Sequence, residues 1–371
     1  MQVEIYRDIN NPELQSSWNT IHSKYNYFEQ SSYDWCSIWW KCICESKQLH
    51  IVTIKDNKDI VGIAPFYVEK TIIGHVLRTF PTSFSDFITF IIDKDHGYSE
   101  IVNYIIKYLS SFSTWQLVRI EKVNSTDPLF SELKKRKNVA SKHLIDCIAA
   151  KFGEITWETY FSQLSKNLKK DIRRRIRRLE ENVTISIAWL ETAEQFIECF
   201  QAISSLYNKR WEDDFKESFF SKENERQFFF KAVRTSFSND RMCLIVLKAE
   251  NKIIAYRLGF VQGDTFFDWN TSYDIDYESY SPGKLIIYYT LKELFKRNYK
   301  KINFMAGGYW YKRRWVLEDN NSFNSAFLIS SPTVKGKLLF LYYYKYRDQL
   351  KIMYRRLMAM KLLRIISKKT R

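Results

Sequence analysis

The chain has 371 residues, and its 45% hydrophobic and 17% aromatic content is enough to fill the cores of two domains of ordinary size. Its formal net charge of +16 at pH 7 predicts an anionic partner. No apolar run approaches the roughly 20 residues that cross a bilayer, and no signal-peptide core follows Met1, so we expect a cytoplasmic protein.

The first half is predicted to alternate helices and strands. Pro12 begins a helical pattern, and two β-branched runs flank the polar tip Asp56-Asn57-Lys58, as in a hairpin. The predicted elements are a helix over 11–25, strands over 49–55 and 60–68, a helix over 101–109 and a strand over 115–121. A domain boundary is expected near residue 150, where a new helical region begins.

A basic amphipathic helix is predicted after that boundary. Residues 166–178 contain eight Lys or Arg and one acidic residue, Asp171. This face suits the phosphates of a nucleotide, a nucleic acid or a lipid, or else it is a solvated surface. Helices over 196–211 and 223–237 follow. The apolar stripe of the basic helix recurs every three or four residues and consists of Leu164, Leu168, Ile172, Ile176 and Leu179.

The most informative stretch runs from residue 241 to residue 315. Five of the ten glycines lie between 259 and 308, so specialised backbone geometry is expected there. Two apolar runs around a polar tip occur here and also near residues 51–66, which indicates a tandem copy. The predicted elements are strands over 242–247, 253–261 and 265–269, the turn Tyr280-Ser281-Pro282-Gly283-Lys284, a helix over 285–297 and a strand over 301–305.

The C-terminal segment has its own charge pattern. Residues 333–371 contain twelve Lys or Arg and one acidic residue, Asp348. Apolar residues from Leu350 to Ile366 recur at spacings of three and four, which predicts a basic amphipathic helix. Such a helix can lie on an anionic membrane surface or pack its apolar stripe on the body of the protein.

Several common catalytic classes lack their sequence motifs in this chain. There is no G-x-S-x-G, P-loop, H-E-x-x-H or G-x-G-x-x-G pattern. The five histidines are isolated and the six cysteines form no C-x-x-C pair, so we predict reduced thiols and no metal site. Catalysis by the 241–315 stretch must use residues other than histidine, because none lies there.

The element order, the turn at 280–284, the strand Ala255-Tyr256-Arg257-Leu258-Gly259 and the segment Tyr311-Lys312-Arg313-Arg314-Trp315 resemble the GNAT acyltransferase domain. More narrowly, they resemble its branch associated with bacterial cellulose and surface-polysaccharide biosynthesis, which is related to Fem-type peptidoglycan transferases. The resemblance implies an α/β fold with tandem GNAT-like domains, mixed and mainly antiparallel sheets, and a basic C-terminal helix. The implied domains are a degenerate copy at 1–150, the acyltransferase at 151–332 and the tail at 333–371.

The resemblance also implies a set of site residues. Acetyl-CoA would be the cosubstrate, its pyrophosphate bound where the turn opens the helix. Asp268 is the implied base, with Asp274 as a competing candidate, and each of these residues also has an ordinary structural explanation. The implied roles are catalysis by Asp268 and Tyr311, acyl-CoA binding by Ser281, Gly283 and Lys284, and acceptor binding by Arg257, Arg314 and Trp211.

The sequence favours the first of three functions, and the other two are alternatives. The first is transfer of an acetyl group from acetyl-CoA to an amine or hydroxyl of a cell-surface polysaccharide precursor or a similar small acceptor. The second is Fem-like aminoacyl transfer from a charged tRNA, with residues 166–178 bound to RNA phosphates. The third is a non-catalytic protein that binds nucleic acid or a membrane surface, which includes a peripheral position at the inner membrane face.

Overall fold

The computed structural model describes residues 1–44, 46–112, 114–211, 220–318, 320–350 and 352–353, with the side chain of Trp211 left out. The first half of the chain alternates helices and strands as the sequence predicts. Its elements are β1 (Gln2–Tyr6), α1 (Pro12–Lys24), α2 (Tyr33–Trp39), β2 (Gln48–Asp56), β3 (Asp59–Lys70), β4 (His75–Thr79), β5 (Ile91–Ile92), α3 (Tyr98–Leu109), β6 (Leu117–Asn124) and α4 (Pro128–Lys134).

The second half begins with a long strand that the sequence did not predict. Its elements are β7 (Ala140–Lys151), α5 (Trp157–Gln163), α6 (Lys166–Glu180), β8 (Ile185–Leu190), α7 (Ala193–Trp211), α8 (Glu223–Ser238), β9 (Met242–Ala249), β10 (Lys252–Gln262), β11 (Thr265–Tyr273), α9 (Pro282–Lys296), β12 (Lys301–Ala306), α10 (Trp310–Arg313), β13 (Ser322–Ser330) and α11 (Val334–Leu341). The strands and helices predicted between 242 and 305 are therefore confirmed.

The strands of the described residues form one mixed sheet in which the two halves repeat each other. Its order is β1-β2-β3-β4-β6-β13-β7-β12-β11-β10-β9-β8, with β5 paired to β3. Among the described strands, only β4 with β6 and β11 with β12 are parallel, and these two pairs occupy equivalent places in the two halves. In each parallel pair a helix, α3 or α9, lies between the two strands in sequence. The tandem copy expected from the sequence is thus present in the topology.

Strand β13 crosses the expected domain boundary. It follows the second copy in sequence, yet it pairs with β6 of the first half on one side and with β7 on the other. The side chain of Asn124 on β6 donates to Ser322 at 3.0 Å and to Asn324 at 2.9 Å. Because of this strand the two halves share one continuous sheet, and the division at residue 150 remains a prediction.

Helices cover both faces of the sheet. Side chains alternate along β9, so Leu244 and Val246 pack with α1, α2, α7 and α8, whereas Cys243 and Ile245 pack with α5, α6 and α9 on the other face. Helix α6 buries Leu168, Ile172 and Leu179, and most of its basic residues are exposed, as its pattern predicts.

Helix α11 lies on the same face of the first half as α1 and α2. Its Leu339 packs with Val76 and Leu117, whose neighbours Leu77 and Val118 face α3 on the other side. No helix of the described residues is long and apolar enough to cross a membrane. Most of the predicted tail helix, from residue 354 onward, lies outside the described residues.

Candidate active site

Strands β11 and β12 diverge and leave a gap in the sheet. They pair only where Thr265–Phe267 faces Lys301–Asn303. Beyond that point Trp269 is an extra residue on β11, because Leu258 pairs with Asn270 and Gly259 pairs with Asp268. On β12, Met305 has a positive φ of 53°, and its N–H is held by the side chain of Asn303 at 2.8 Å. These two irregularities turn the strands away from each other.

Two cavities flank this gap. The α9 cavity, of about 320 Å³, lies on the face of α6 and α9 and is lined by residues that include Leu168, Gly283 and Ile287. The interhalf cavity, of about 420 Å³, lies on the opposite face, between Asp86 of the first half and Lys312 of the second. Thr271 and Tyr311 line both cavities, so the two spaces adjoin through the gap in the sheet.

The α9 cavity is rich in cations. Aromatic faces orient two of them, because the Arg210 guanidinium stacks 4.3 Å from the ring centre of Tyr273 and the Arg314 guanidinium lies 5.7 Å from that of Trp310. The acidic residue on its wall is Glu278. The cations outnumber this carboxylate on the wall, although two of them are paired with carboxylates that do not line the cavity. Its cationic lining residues are Arg210, Arg257, Lys284 and Arg314.

The start of α9 offers a small anion site. Pro282 has no N–H, and the N–H groups of Lys284 and Leu285 both donate to the Ser281 carbonyl, at 2.9 and 3.2 Å. Among the described residues, the Gly283 N–H is the first-turn donor left without a carbonyl. A Cβ on Gly283 would lie 2.9 Å from the Tyr273 ring, so this glycine is also required for packing.

Lys284 is not a free cation in this structure. Its ammonium group forms an ion pair with Asp171 on α6, which also binds Arg174 at 3.0 Å and Arg175 at 2.9 Å. Burial favours a higher pKa for Asp171, but the hydrogen bond and charge of Lys284 outweigh it, together with the two arginines, and the pKa falls to about 2. The lysine therefore attaches α6 to the start of α9.

Arg257 and Asp268 form a buried ion pair in the wall between the cavities. Arg257 is 2% exposed and Asp268 is 6% exposed. Arg257 lines the α9 cavity, and Asp268 lines the interhalf cavity. In the described part of the chain, Asp268 Oδ1 and Arg257 Nε have no hydrogen-bond partner. Protein atoms enclose this ion pair, and one buried polar atom of each side chain is left unsatisfied there.

Lys312 is the most perturbed cation of the interhalf cavity. Burial, reinforced by the charge of Arg257, lowers its pKa to about 8. Its ammonium group donates to the carbonyls of Phe304 at 2.7 Å and Ala306 at 3.1 Å. Burial also raises the pKa of Asp86 on the same cavity wall, against the charges of Lys122 and Lys312. An acid and a base whose pKa values are both displaced toward neutral pH mark a candidate catalytic centre.

The structure brings most of the expected site residues to the gap. Tyr311 borders both cavities, whereas the side chain of Trp211 lies outside the described residues. Asp274 lies away from the gap, where it binds Lys209 at 3.0 Å and Lys252 at 2.6 Å. The residues placed in the α9 cavity are Arg257, Ser281, Gly283, Lys284 and Arg314, and Asp268 lies in the interhalf cavity.

Sequence reasoning missed Asp86, Lys122 and Lys312. Lys312 stands in the segment that carried the resemblance, but its burial has no local sequence signal. Asp86 belongs to an irregular loop of the first half, which was expected to be a degenerate copy. No group of three His, Cys, Asp or Glu suited to a metal ion occurs in the described ranges.

The sequence of the second half matches a known family model. Residues 166–313 match the model described as acetyltransferase (GNAT) domain. This part of the chain has the GNAT fold. It includes α6, the diverging strands and the start of α9, and the topology of the first half repeats it. The fold class expected from the sequence is therefore confirmed. No curated protein matches the chain in sequence.

Solved structures of low sequence identity share the fold over most of the chain. FemX superposes with a TM-score of 0.55 at 9% identity, over 82% of this chain and 92% of its own. L-PGS from Bacillus licheniformis gives a TM-score of 0.55 at 9% identity, over 91% and 97%. The C-terminal domain of a putative lysylphosphatidylglycerol synthetase from Agrobacterium fabrum gives 0.54 at 8% identity, over 88% and 96%.

Proposed function

We propose that this protein is an acyltransferase that moves an aminoacyl group from a charged tRNA to an amine or hydroxyl of a second substrate. One observation carries the proposal. Two cavities on opposite faces of the sheet adjoin at Thr271 and Tyr311. A donor and an acceptor that enter from opposite faces can meet there without competing for one entrance.

The α9 cavity is the proposed donor side. Helix α6 runs along its rim, where Leu168 lines the cavity and Arg175 donates to the Ser279 carbonyl at 3.4 Å. The exposed Arg173, Arg177 and Arg178 extend the positive surface outward from this rim. A polyanion larger than one nucleotide can use both the cavity and the helix. The small anion site at the start of α9 favours such a carrier over a compact pyrophosphate.

The interhalf cavity is the proposed acceptor side. With two of its hydrogens directed to carbonyls, the Lys312 ammonium group has a third to donate to the oxyanion of a tetrahedral intermediate. Asp86 accepts the proton that the attacking amine or hydroxyl loses. Collapse of the intermediate breaks the bond to the carrier, and Tyr311, which borders both cavities, donates a proton to the departing oxygen.

Asp268 has a different proposed role from the one expected. Its carboxylate is bound to Arg257, so proton transfer to it would weaken a buried ion pair. We assign it the positioning of Arg257 beside Tyr311.

The names of the similar structures agree with this choice. The name lysylphosphatidylglycerol synthetase describes an enzyme that joins a lysyl group to phosphatidylglycerol. Aminoacyl transfer was also one of the functions that the sequence left open. These likenesses have identities of 8–9% and indicate fold alone, so the donor is proposed from the cavities and from α6.

Acetyl transfer from acetyl-CoA is the second candidate. The match of residues 166–313 to an acetyltransferase model favours it, and the free Gly283 N–H can bind one phosphate oxygen. The acceptor would again be an amine or hydroxyl, with a cell-surface polysaccharide precursor as the proposed class. The donor-side residues would then be Ser281, Gly283 and Arg314.

Donor binding distinguishes the two candidates. Filter binding measures affinity for a mixture of charged tRNAs, and calorimetry measures affinity for coenzyme A and acetyl-CoA. We expect tRNA binding that weakens with salt and that falls in an Arg173→Gln, Arg177→Gln, Arg178→Gln variant. The matched control removes three exposed lysines of the first half, through Lys134→Gln, Lys135→Gln and Lys137→Gln, and should leave tRNA binding unchanged.

Three outcomes decide the donor. tRNA binding that both triple variants reduce equally would indicate non-specific attraction and would remove the role of α6. Saturable coenzyme binding that is lost in Gly283→Asp, without tRNA binding, would select acetyl transfer. Failure of both donors to bind would contradict the proposed function. Transfer itself is followed by loss of label from aminoacyl-tRNA when small amines and alcohols are added.

A further inference from the structure

The terminal helix, residues 334–350, is fixed to the body of the protein by one side. It consists of α11, a π turn at Tyr342–Tyr346 and a continuing helix to residue 350. Leu339 is 1% exposed, and the Tyr343 ring lies 4.0 Å from the Arg119 guanidinium. A Cβ on Gly336 would approach Ser331 Oγ to 2.3 Å, and Asp348 binds Lys142 at 2.6 Å. These contacts fix which face of the helix points outward.

The outward face is also apolar. Val334, Leu338 and Leu341 recur at spacings of four and three and are 74%, 49% and 46% exposed. Exposed tyrosines and three further apolar residues continue this surface. The helix therefore has apolar residues on both sides, and only one side packs on the protein. The continuing exposed residues are Tyr342, Tyr344, Tyr346, Leu350, Ile352 and Met353.

Cations flank the outward apolar face. Lys335, Lys337 and Lys345 are exposed along the same helix, and its acidic residue, Asp348, is bound to Lys142. The sequence that follows adds only positive charge, with no Asp or Glu after Asp348. The basic residues of that segment are Lys351, Arg355, Arg356, Lys361, Arg364, Lys368, Lys369 and Arg371.

We propose that the outward face of the terminal helix binds the surface of an anionic lipid bilayer. Aliphatic and tyrosine side chains that point away from the body can enter the headgroup boundary, while the flanking lysines remain at the level of the lipid phosphates. The packed face cannot be exchanged for the outward face, because Gly336, Leu339 and Tyr343 fit the body closely. The apolar stripe thus lies on the surface of the protein, beside charges that complement anionic lipid.

A second copy of the chain is the alternative occupant. The positive charge of the helix opposes it, since two such faces would bring Lys335, Lys337 and Lys345 of both copies together. The proposal stands independently of the transferase chemistry, because none of its residues lines either cavity.

Vesicle co-sedimentation of the full chain tests the proposal. We expect binding to vesicles of phosphatidylglycerol mixed with phosphatidylcholine and little binding to pure phosphatidylcholine. Leu338→Glu with Leu341→Glu should lower the partition coefficient by at least about tenfold, since both side chains would leave the headgroup boundary. Ile197→Glu is the matched control, because Ile197 is an aliphatic residue of α7 with 42% exposure and should leave binding unchanged.

The contribution of the lysines to vesicle binding is tested with a variant that combines Lys335→Gln, Lys337→Gln and Lys345→Gln. This variant should bind anionic vesicles more weakly and with less dependence on salt. Circular dichroism of each variant verifies folding, which these exposed substitutions should not disturb. No binding to anionic vesicles, or equal loss in Leu338→Glu, Leu341→Glu and in Ile197→Glu, would overturn the proposal. So would a dimer in sedimentation analysis that the leucine variant converts to a monomer, because the face would then be an interface between copies.

Discussion

Arg257 and Asp268 join the two cavities through a single buried ion pair. The guanidinium borders the α9 cavity and the carboxylate borders the interhalf cavity. A ligand that contacts either residue therefore changes the electrostatic environment of the other. The pair also lies next to Tyr311, which is common to both cavities.

Removing one member of this pair should destabilise the protein. Asp268→Ala leaves the Arg257 charge buried without its partner, so the free energy of unfolding should fall by about 3–5 kcal/mol. Replacement of both residues by leucine should recover much of this loss, because no charge then remains buried. Urea denaturation measures both effects. A loss well below 1 kcal/mol in Asp268→Ala would contradict the structural role that we assign to the pair.

Lys312 should give the reaction an alkaline limit. Its ammonium form predominates below its pKa of about 8, so the transfer rate should decline as the pH rises through that value. Lys312→Met should lower the rate by about 100-fold or more, as removal of an oxyanion donor does. Lys312→Arg keeps the charge and should move the alkaline limit upward. A pH profile unchanged in Lys312→Arg would exclude the lysine as the titrating group.

The same lysine should affect stability with a defined sign. Its folded pKa, about 8, lies below the ordinary value of 10.5, so between these pH values the unfolded chain holds a proton that the folded chain lacks. Stability therefore rises with pH across that window. Lys312→Met lacks this contribution. The free energy of unfolding of the wild type minus that of the variant, measured by urea denaturation from pH 7 to 10.5, should increase as the pH rises.

Glu29 should produce the opposite trend at lower pH. It is buried between the halves, where Ser236 of α8 donates to it at 2.8 Å, and burial raises its pKa to about 7. Between its ordinary value of 4.5 and 7, the folded chain holds a proton that the unfolded chain has lost, so stability falls as the pH rises. Glu29→Gln should remove this dependence and be more stable at pH 8 by on the order of 2 kcal/mol. Melting temperatures across this range measure it.

Gly259 should tolerate no side chain. A Cβ there would lie 2.3 Å from the Phe266 ring and 2.5 Å from the Phe267 carbonyl, beside the bulge at Trp269. Gly259→Ala should lower the free energy of unfolding by about 1–3 kcal/mol, because backbone must move. Gly263→Ala is the control. Gly263 has nothing within 4 Å of its Cβ position, so only its φ of +56° opposes alanine, and it should lose about 1 kcal/mol.

The sequence predicted the elements whose signals are local. The meander β9 to β11 and helix α9 were recognisable because each has its own hydrophobic period and the turn at 280–284 separates them. The strands β7 and β13 were missed. The pairing of β13 with β6 brings together Asn124 and Ser322, which are 198 positions apart, and no local window of sequence contains both.

Most of the expected site residues lie around the gap between β11 and β12, but the sequence did not predict which of their charges are paired. Lys284 was expected to face an anion, and it is bound to Asp171, which lies 113 positions earlier in the chain. The shifted pKa of Lys312 depends on its burial beside the first half. Asp86 was missed as well, because the sequence predicted no site residue in that half. The residue types therefore indicated which side chains lie near the gap. The pairing and protonation of each charged side chain depend on partners that are distant in sequence.

The position of β13 has a consequence for how the protein is made. A ribosome completes β6 and β7 long before it releases Ser322–Ser330, so each half first emerges with an inner sheet edge that β13 later covers. Open edges attract other strands, including those of neighbouring nascent chains. Synthesis of one nine-residue strand closes both edges at once. Stalled or prematurely ended translation before residue 322 should thus yield a chain that aggregates, rather than a smaller working enzyme.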